Sequence, residues 1–355
     1  MNFVDVALDT AHDFCTSLFS SYGFNEKESA LISDVLLAAD LAGIESHGLH
    51  RLVRYDYEIT SGCVEVCAKP QIVFETPISA VLDAQKAMGQ LACVSAMQMA
   101  ISKAKKNGFG IVTVRNSNHI GINGYYAELA AAEGLIGICM TNSEAITVPT
   151  FGSKGMLGTN AFAFAMDAEP AMLSVDFSTS VVPRGAIEIY AKNKKPLPKG
   201  WAVDKQGLSE SNAATLIENI INKTGGGILP LGGAGTLLGG HKGFGIALIV
   251  EVFCGILSGG LTSNHINLIP GNTGICNCCA ALNPELFGDR NTIREALSRF
   301  LEELRQCPHN NSEMRVRTPG ERKAELKQRK TIPVSIKTIE ELRGIAAARN
   351  VSFIF

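Results

Sequence analysis

The sequence predicts an α+β chain, a mixed α/β arrangement in which a non-Rossmann mixed β-sheet packs on a helical domain formed from both termini. Three observations predict it. Apolar residues recur with helical period at both ends, whereas the middle breaks into apolar runs of strand length. Those runs alternate irregularly with helix-like stretches, which favours a mixed sheet over an all-parallel one. The Gly-x-Gly-x-x-Gly that opens a Rossmann sheet is missing, since Gly108-Phe109-Gly110 and Gly243-Phe244-Gly245 both fail at the third glycine. A Walker lysine motif is missing as well.

Taken in order, Asn25 caps a helix with Glu28 three residues on, the spacing of a capping box, and Leu31, Val35, Ala38, Ala39 and Ala42 follow at helical period up to Gly43. Ser46 begins a second helix on which His47, Arg51 and Arg54 or Tyr55 share a face. From Ile72 the pattern shortens. Residues 78–82, 111–114, 136–140, 161–166 and 173–175 read as strands, with helices over 91–105 and 125–132. A basic, proline-bearing stretch after Pro183 holds the single Trp201 and reads as an excursion from the sheet. Glycine-dense residues 225–245 then lead into a buried helix over 246–257, and amphipathic helices close the chain, with Ile293, Leu297, Phe300, Leu301 and Leu304 on one stripe. Residues 1–75 and 290–355 are assigned to the helical domain. Residues 76–289 form the sheet domain, with its excursion near 183–225.

Bulk properties exclude several classes. A net charge of −2 in 355 residues gives no field for nucleic acid. The longest apolar run, 244–257, contains Glu251 and is too short for a bilayer, so no membrane partner is expected. Asp5, Asp9 and Asp13 interrupt any signal peptide, and ten cysteines without one predict reduced thiols and a cytoplasmic location. With 46% hydrophobic residues the surface has apolar area to spare, which points to an oligomer. Cys276, Cys278 and Cys279 are clustered but lack a second ligand pair, and His47 and His50 lack a partnering carboxylate or cysteine. No metal is expected at either.

The most informative segment is Arg115-Asn-Ser-Asn-His119-Ile-Gly-Ile-Asn-Gly124, a polar, glycine-flanked turn directly after a buried strand. A histidine there is placed for proton transfer, with an imidazole pKa near working pH; a plain asparagine-rich turn is the other reading. Asp176 ends a strand ahead of Ser178, Thr179 and Ser180. These hydroxyls can serve ribose, phosphate or amide, and Asp176 can orient a histidine or a ribose hydroxyl, or the group can simply close a turn. Gly239-Gly240-His241-Lys242-Gly243 offers close backbone approach, helix-start amides and a cation, which suits phosphate as well as it suits a glycine-rich connector. Arg51 can grip a carboxylate with two parallel bonds or pair along its own helix.

With Ser46-His47-Gly48, Leu157-Gly158-Thr159-Asn160, Val175 to Ser180 and Pro319-Gly320-Glu321, these segments fall in the order of one family. From about Asn25 to Glu321 the chain resembles the malate/L-lactate dehydrogenase family, which includes ureidoglycolate, sulfolactate and diketogulonate oxidoreductases. It departs from the pattern at Ala161, where proline is usual, and in the cysteine cluster. The resemblance implies a nicotinamide cofactor, NAD with NADP also possible, bound on a non-Rossmann nucleotide-binding domain. It further implies a homodimer with sites where the subunits meet. It places Ser46, His47, Arg51, Tyr55 and Asn160 around the substrate. The cofactor contacts it implies are His47, Ser143, Thr159, Asp176, Phe177, Ser178, Thr179, Ser180, His241, Lys242, Gly243, Gly320 and Glu321. Either His119 or His47 takes the acid/base role, with Asp176 as the third catalytic candidate and His119 preferred.

The expected reaction interconverts a small 2-hydroxy acid and its 2-oxo acid, malate first and lactate next. Ureidoglycolate oxidation or cyclic-imine reduction on the same scaffold is the enzymatic alternative. A catalytically idle small-molecule-binding dimer is the alternative of another class, and the joint presence of His47, Arg51, His119 and Asp176 argues against it.

Overall fold

The computed structural model describes residues 3–268, 271–308 and 315–355. Both ends of the chain meet in one unit. Strand β1 (Phe3–Ala7) pairs antiparallel with β11 (Thr331–Ser335), and helices α1 (Leu8–Ser21), α2 (Glu26–Leu41), α3 (Leu52–Thr60) and α11 (Ile336–Arg349) pack around it. Phe14, Leu18, Phe19, Ile32, Leu36, Leu52, Ile332 and Leu342 fill the core of this unit. The Asn25–Glu28 capping box forms as read, with reciprocal bonds of 3.0 and 3.2 Å. Two elements differ from expectation. β1 and β11 were not foreseen among the terminal helices, although Val4/Val6 and Ile332/Val334 alternate with the period of a strand.

The sheet has seven strands in the order β2-β3-β4-β10-β5-β6-β7. They are β2 (Gln71–Glu75), β3 (Ser79–Asp83), β4 (Phe109–Ser117), β5 (Ile136–Thr141), β6 (Ala161–Met166), β7 (Leu173–Phe177) and β10 (Ile275–Leu282). Only β3 and β4 run parallel; every other neighbour pair is antiparallel. The sheet is therefore mixed and non-Rossmann, as the irregular alternation predicts. Helices α4 (Gly89–Asn107) and α5 (Asn123–Ala132) cover one face. They lie unusually close: a Cβ on Gly110 would come within 2.1 Å of Ala100 O, and one on Gly137 within 2.0 Å of Ala127 O. A side chain at either position would push a helix off the sheet.

Strand β10, in the middle of the sheet, is the largest surprise. The cysteine cluster is its core. Cys276 and Cys278 point to one face, with Met140, Val250 and Cys254. Cys279 points to the other, 3.5 Å from Cys93 Sγ, while Cys93 and Cys139 are 3.8 Å apart. In a strand, residues three apart face opposite sides, so Cys276 and Cys279 cannot share an ion. The apolar run was hidden by Asn277, which is buried and donates to Thr141 Oγ1 at 2.8 Å.

The remaining elements are α6 (Arg184–Lys192), β8 (Ala202–Val203), α7 (Ala213–Asn222), β9 (Gly227–Ile228), α8 (Gly240–Glu251), α9 (Arg290–Arg305) and α10 (Glu321–Leu326). The segment from α6 to β9 has its own small core of Ile187, Leu216, Ile220 and Ile228, edged by Tyr190 and Trp201. Helix α8 starts six residues before the expected 246 and passes into a π-turn at Val252–Ile256. His241, Lys242 and Gly243 thus sit in its first turn and not in a preceding loop. No described helix is long and apolar enough to cross a membrane.

Candidate active site

The segment 45–51 is two short 3-10 turns, Glu45–His47 and Leu49–Arg51, where one continuous helix was expected. Gly48 breaks it. The buried Asp40 carboxylate accepts Leu49 N–H at 2.8 Å, and a Cβ at Gly48 would stand 1.9 Å from that carboxylate. Burial raises the Asp40 carboxyl to about 7. The break turns His47 and Arg51 toward a cavity of 570 Å³.

His119 enters the same cavity from the end of β4. Its neighbour Asn118 is fully buried and anchors the turn, donating to Lys86 O and Ala87 O at 3.0 Å and accepting from Thr273 Oγ1. The two imidazoles stand 5.4 Å apart, centre to centre. Tyr55 is buried behind them, its hydroxyl 2.8 Å from His119 Nδ1, which also accepts Gly121 N–H at 3.3 Å. These partners leave the proton of the neutral ring on Nε2. Ser46 Oγ lies 3.0 Å from His47 Nδ1.

Burial, then the nearby Arg51 and Arg54 charges, hold His47 down at about 3 and His119 well below the ordinary imidazole range. Both rings are neutral at pH 7. Burial lowers Arg51 too, with Arg54 adding to it. Arg54 is compensated by Glu58 at 2.6 Å and Arg184 by Glu188 at 2.9 Å. Arg51 has no carboxylate partner among the described residues. Its Nε donates to Ser46 O at 2.6 Å, leaving the terminal amino groups free.

Ser46, His47, Arg51, His119, Ser143 and Thr159 thus line one cavity. Others of the expected set lie elsewhere. Asn160 is fully buried behind the wall, where its amide donates to Ala247 O and Glu251. The Asp176 carboxylate accepts Gly124 N–H at 2.7 Å at the start of α5 and bonds neither histidine. Phe177 packs against Phe162 across the strand pair, the rings tilted at 48°. Thr179 bonds Thr159 O, Ser180 bonds Val182 O, and Ser178 bonds Ser180. Gly320 packs against Met172 O, and Glu321 is taken by Arg305 and Arg315. Sequence reading missed Arg184, Glu188, Glu144 and Thr273 in the cavity wall. Only the i, i+4 Arg-Glu spacings could have signalled the first two.

A dinucleotide needs a cation and backbone donors for phosphate, and polar groups for its sugar and amide. Lys242 is exposed in the first turn of α8, with no carboxylate partner among the described residues, beside the Gly240 and His241 amides at the helix start, whereas its own N–H is bonded to Gly239 O. The Ser143 and Thr159 hydroxyls, 3.4 Å apart, stand at the cavity wall. These residues fit such a group.

A non-Rossmann mixed sheet that brings His119 from a strand end to meet His47 and the unpaired Arg51 of the terminal unit in one cavity has the make-up of an oxidoreductase acting on small anionic substrates. Residues 6–343 match the model of the malate/L-lactate dehydrogenase family, and the chain belongs to that family. It is 39% identical over 349 residues to malate dehydrogenase of Pyrococcus horikoshii, covering 97% of this chain and 95% of that one. Its fold is similar to the crystal structure of malate dehydrogenase from Entamoeba histolytica, with a TM-score of 0.95, 34% identity and full coverage of both chains. Sulfolactate dehydrogenase from Methanocaldococcus jannaschii superposes with a TM-score of 0.88 at 29% identity, over 99% of this chain and 98% of that one. Membership makes the chain a dehydrogenase and implies a nicotinamide cofactor and small hydroxy or oxo acids.

Proposed function

We propose that the chain interconverts malate and oxaloacetate, with lactate and pyruvate as the next pair, using NAD or NADP. The observation that carries this reading is the unpaired Arg51 guanidinium beside two neutral imidazoles in one cavity. A carboxylate is the ligand that such a fork takes best. The bound cofactor supplies or accepts the hydride.

The protein handles the charge and the proton. Arg51 clamps the substrate carboxylate, and His119 Nε2 faces the oxygen that changes between hydroxyl and carbonyl. In hydroxy-acid oxidation His119 accepts the hydroxyl proton; in the reverse direction the imidazolium returns it. The Arg51 charge, which adds to burial in disfavouring imidazolium, is offset when a carboxylate binds it. Substrate binding therefore raises the histidine pKa toward the range where proton transfer is useful. To accept the hydroxyl proton the neutral ring takes its Nδ1–H tautomer, with the Tyr55 hydroxyl as acceptor, which frees the Nε2 lone pair; the imidazolium keeps the same bond to Tyr55.

The apolar outer surface of α8, the segment before it and the π-turn after it, including Leu237, Leu238, Ile249, Val252 and Ile256, supports a homodimer. Asp176, Ser178, His241 and Lys242 are proposed to meet the cofactor outside the cavity described. The test is loss of NADH absorbance on adding oxaloacetate, pyruvate, sulfopyruvate or a cyclic imine acid. Turnover fastest with oxaloacetate supports the reading; turnover with the imine alone sinks it.

A further inference from the structure

Glu251 lies in the last turn of α8, 6% exposed, with no cationic partner among the described residues. Four donors converge on it. Oε1 accepts Asn142 Nδ2 at 3.0 Å and Ser263 N–H at 2.8 Å; Oε2 accepts Asn160 Nδ2 at 2.8 Å and Ser263 Oγ at 2.5 Å. The donors come from three pieces of the wall, Ser263 supplying two of them. Asn142 precedes Ser143 and Glu144, Asn160 follows Thr159, and Ser263 opens the segment leading to Asn267 and Thr273; all five of these neighbours line the cavity. At the other end of α8, nine residues and about 13 Å away along the helix axis, stands Lys242.

We propose that Glu251 is a positioning residue that ties helix α8, with its phosphate-binding start, to three segments of the substrate cavity. This rests on the functional reading above. The Glu251 side chain only accepts here, with two donors on each oxygen. Glutamine cannot replace it, because either orientation of its amide sets an NH2 group against an amide donor. Asn160, expected at the substrate, acts through this network.

Glu251→Gln is measured in the full chain for kcat, KM of the oxo acid, and NADH Kd by nicotinamide fluorescence. The expected result is a fall in kcat/KM of about 10- to 100-fold, the scale of one or two lost bonds to a charged group, with NADH Kd rising in parallel. Amide hydrogen exchange is expected to speed up at 142–144, 159–160 and 263–267. Glu128→Gln serves as the comparison. That buried carboxylate on α5 pairs with Lys323 outside the cavity and is expected to lower Tm with unchanged kinetics. If Glu251→Gln behaves like Glu128→Gln, losing Tm only, the proposal is overturned. If it does not fold, Ser263→Ala decides: kinetic losses of about 3- to 10-fold support the proposal, and wild-type kinetics overturn it. A wild-type chain that binds NADH but turns over no acid refutes the functional reading alone, and the exchange pattern then judges Glu251 separately.

Discussion

Replacing Arg51 with lysine keeps the charge and removes the fork. In the free protein the guanidinium spends Nε on Ser46 O, at 2.6 Å, and presents its two amino groups to the cavity. Lysine has one nitrogen and cannot do both. The loss at the substrate is one charge-assisted hydrogen bond, about 1.5–3 kcal/mol. At 1.36 kcal/mol per factor of ten, kcat/KM for oxaloacetate should fall about 10- to 150-fold, mostly through KM. The turn that carries His47 also loses its tie to Arg51, so a smaller fall in kcat is expected with it. Steady-state assays across oxaloacetate concentration at saturating NADH measure both terms, and NADH Kd should stay within about twofold. Arg51→Met adds a second arm. Without the cation both imidazoles become easier to protonate, so the acid limb of hydroxy-acid oxidation should move to higher pH. Unchanged KM in Arg51→Lys would remove Arg51 from the substrate site and, with it, the argument for a carboxylate substrate.

Three further outcomes follow from the same geometry. His119→Ala should lower kcat by two to four powers of ten with little change in cofactor affinity, and abolish the acid limb of malate oxidation; if that limb survives His119→Ala but is lost in His47→Ala, the acid/base role belongs to His47. Tyr55→Phe removes the 2.8 Å contact that steadies His119 and should cost about tenfold in kcat, a single hydrogen bond of about 1.4 kcal/mol, with KM little changed; equal kcat would show that packing alone holds the ring. In acid titration of stability, folding keeps His47 neutral at about 3 while the unfolded chain takes up its proton below about 6.5, so stability falls as pH drops through that window, by about 2 kcal/mol between pH 6.5 and 5. Asp40, raised to about 7 by burial, gains its proton first in the folded state and works in the opposite direction, so the contribution is read as the difference between wild type and His47→Gln in urea melts. Parallel pH profiles for the two proteins would exclude a depressed His47.

The family, the mixed sheet and the joining of both termini in one helical unit were legible in the residue order itself, though the β1–β11 strand pair within it was not. They rest on periodicity and on glycine and capping signals, which act between near neighbours: the Asn25–Glu28 box formed, and strands over 136–141 and 161–166 fell where apolar runs placed them. His119 was legible for the same reason, a polar turn after a buried run. What only tertiary structure decided depends on contacts distant in sequence. The central strand β10 was concealed because cysteines pack as small apolar residues on both faces of a sheet, while Asn277 breaks the visible run. The helix expected from Ser46 became two turns because Asp40, in the last turn of the preceding helix, folds back to claim Leu49 N–H. Which polar residues are free for a ligand was also beyond sequence, since it is set by partners: Asn160 shares a motif with the cavity residue Thr159 and Glu321 was expected at the cofactor, yet Glu251, Arg305 and Arg315 consume their hydrogen bonds. Arg51 remains available because no carboxylate among the described residues reaches it, and only the folded chain decides that.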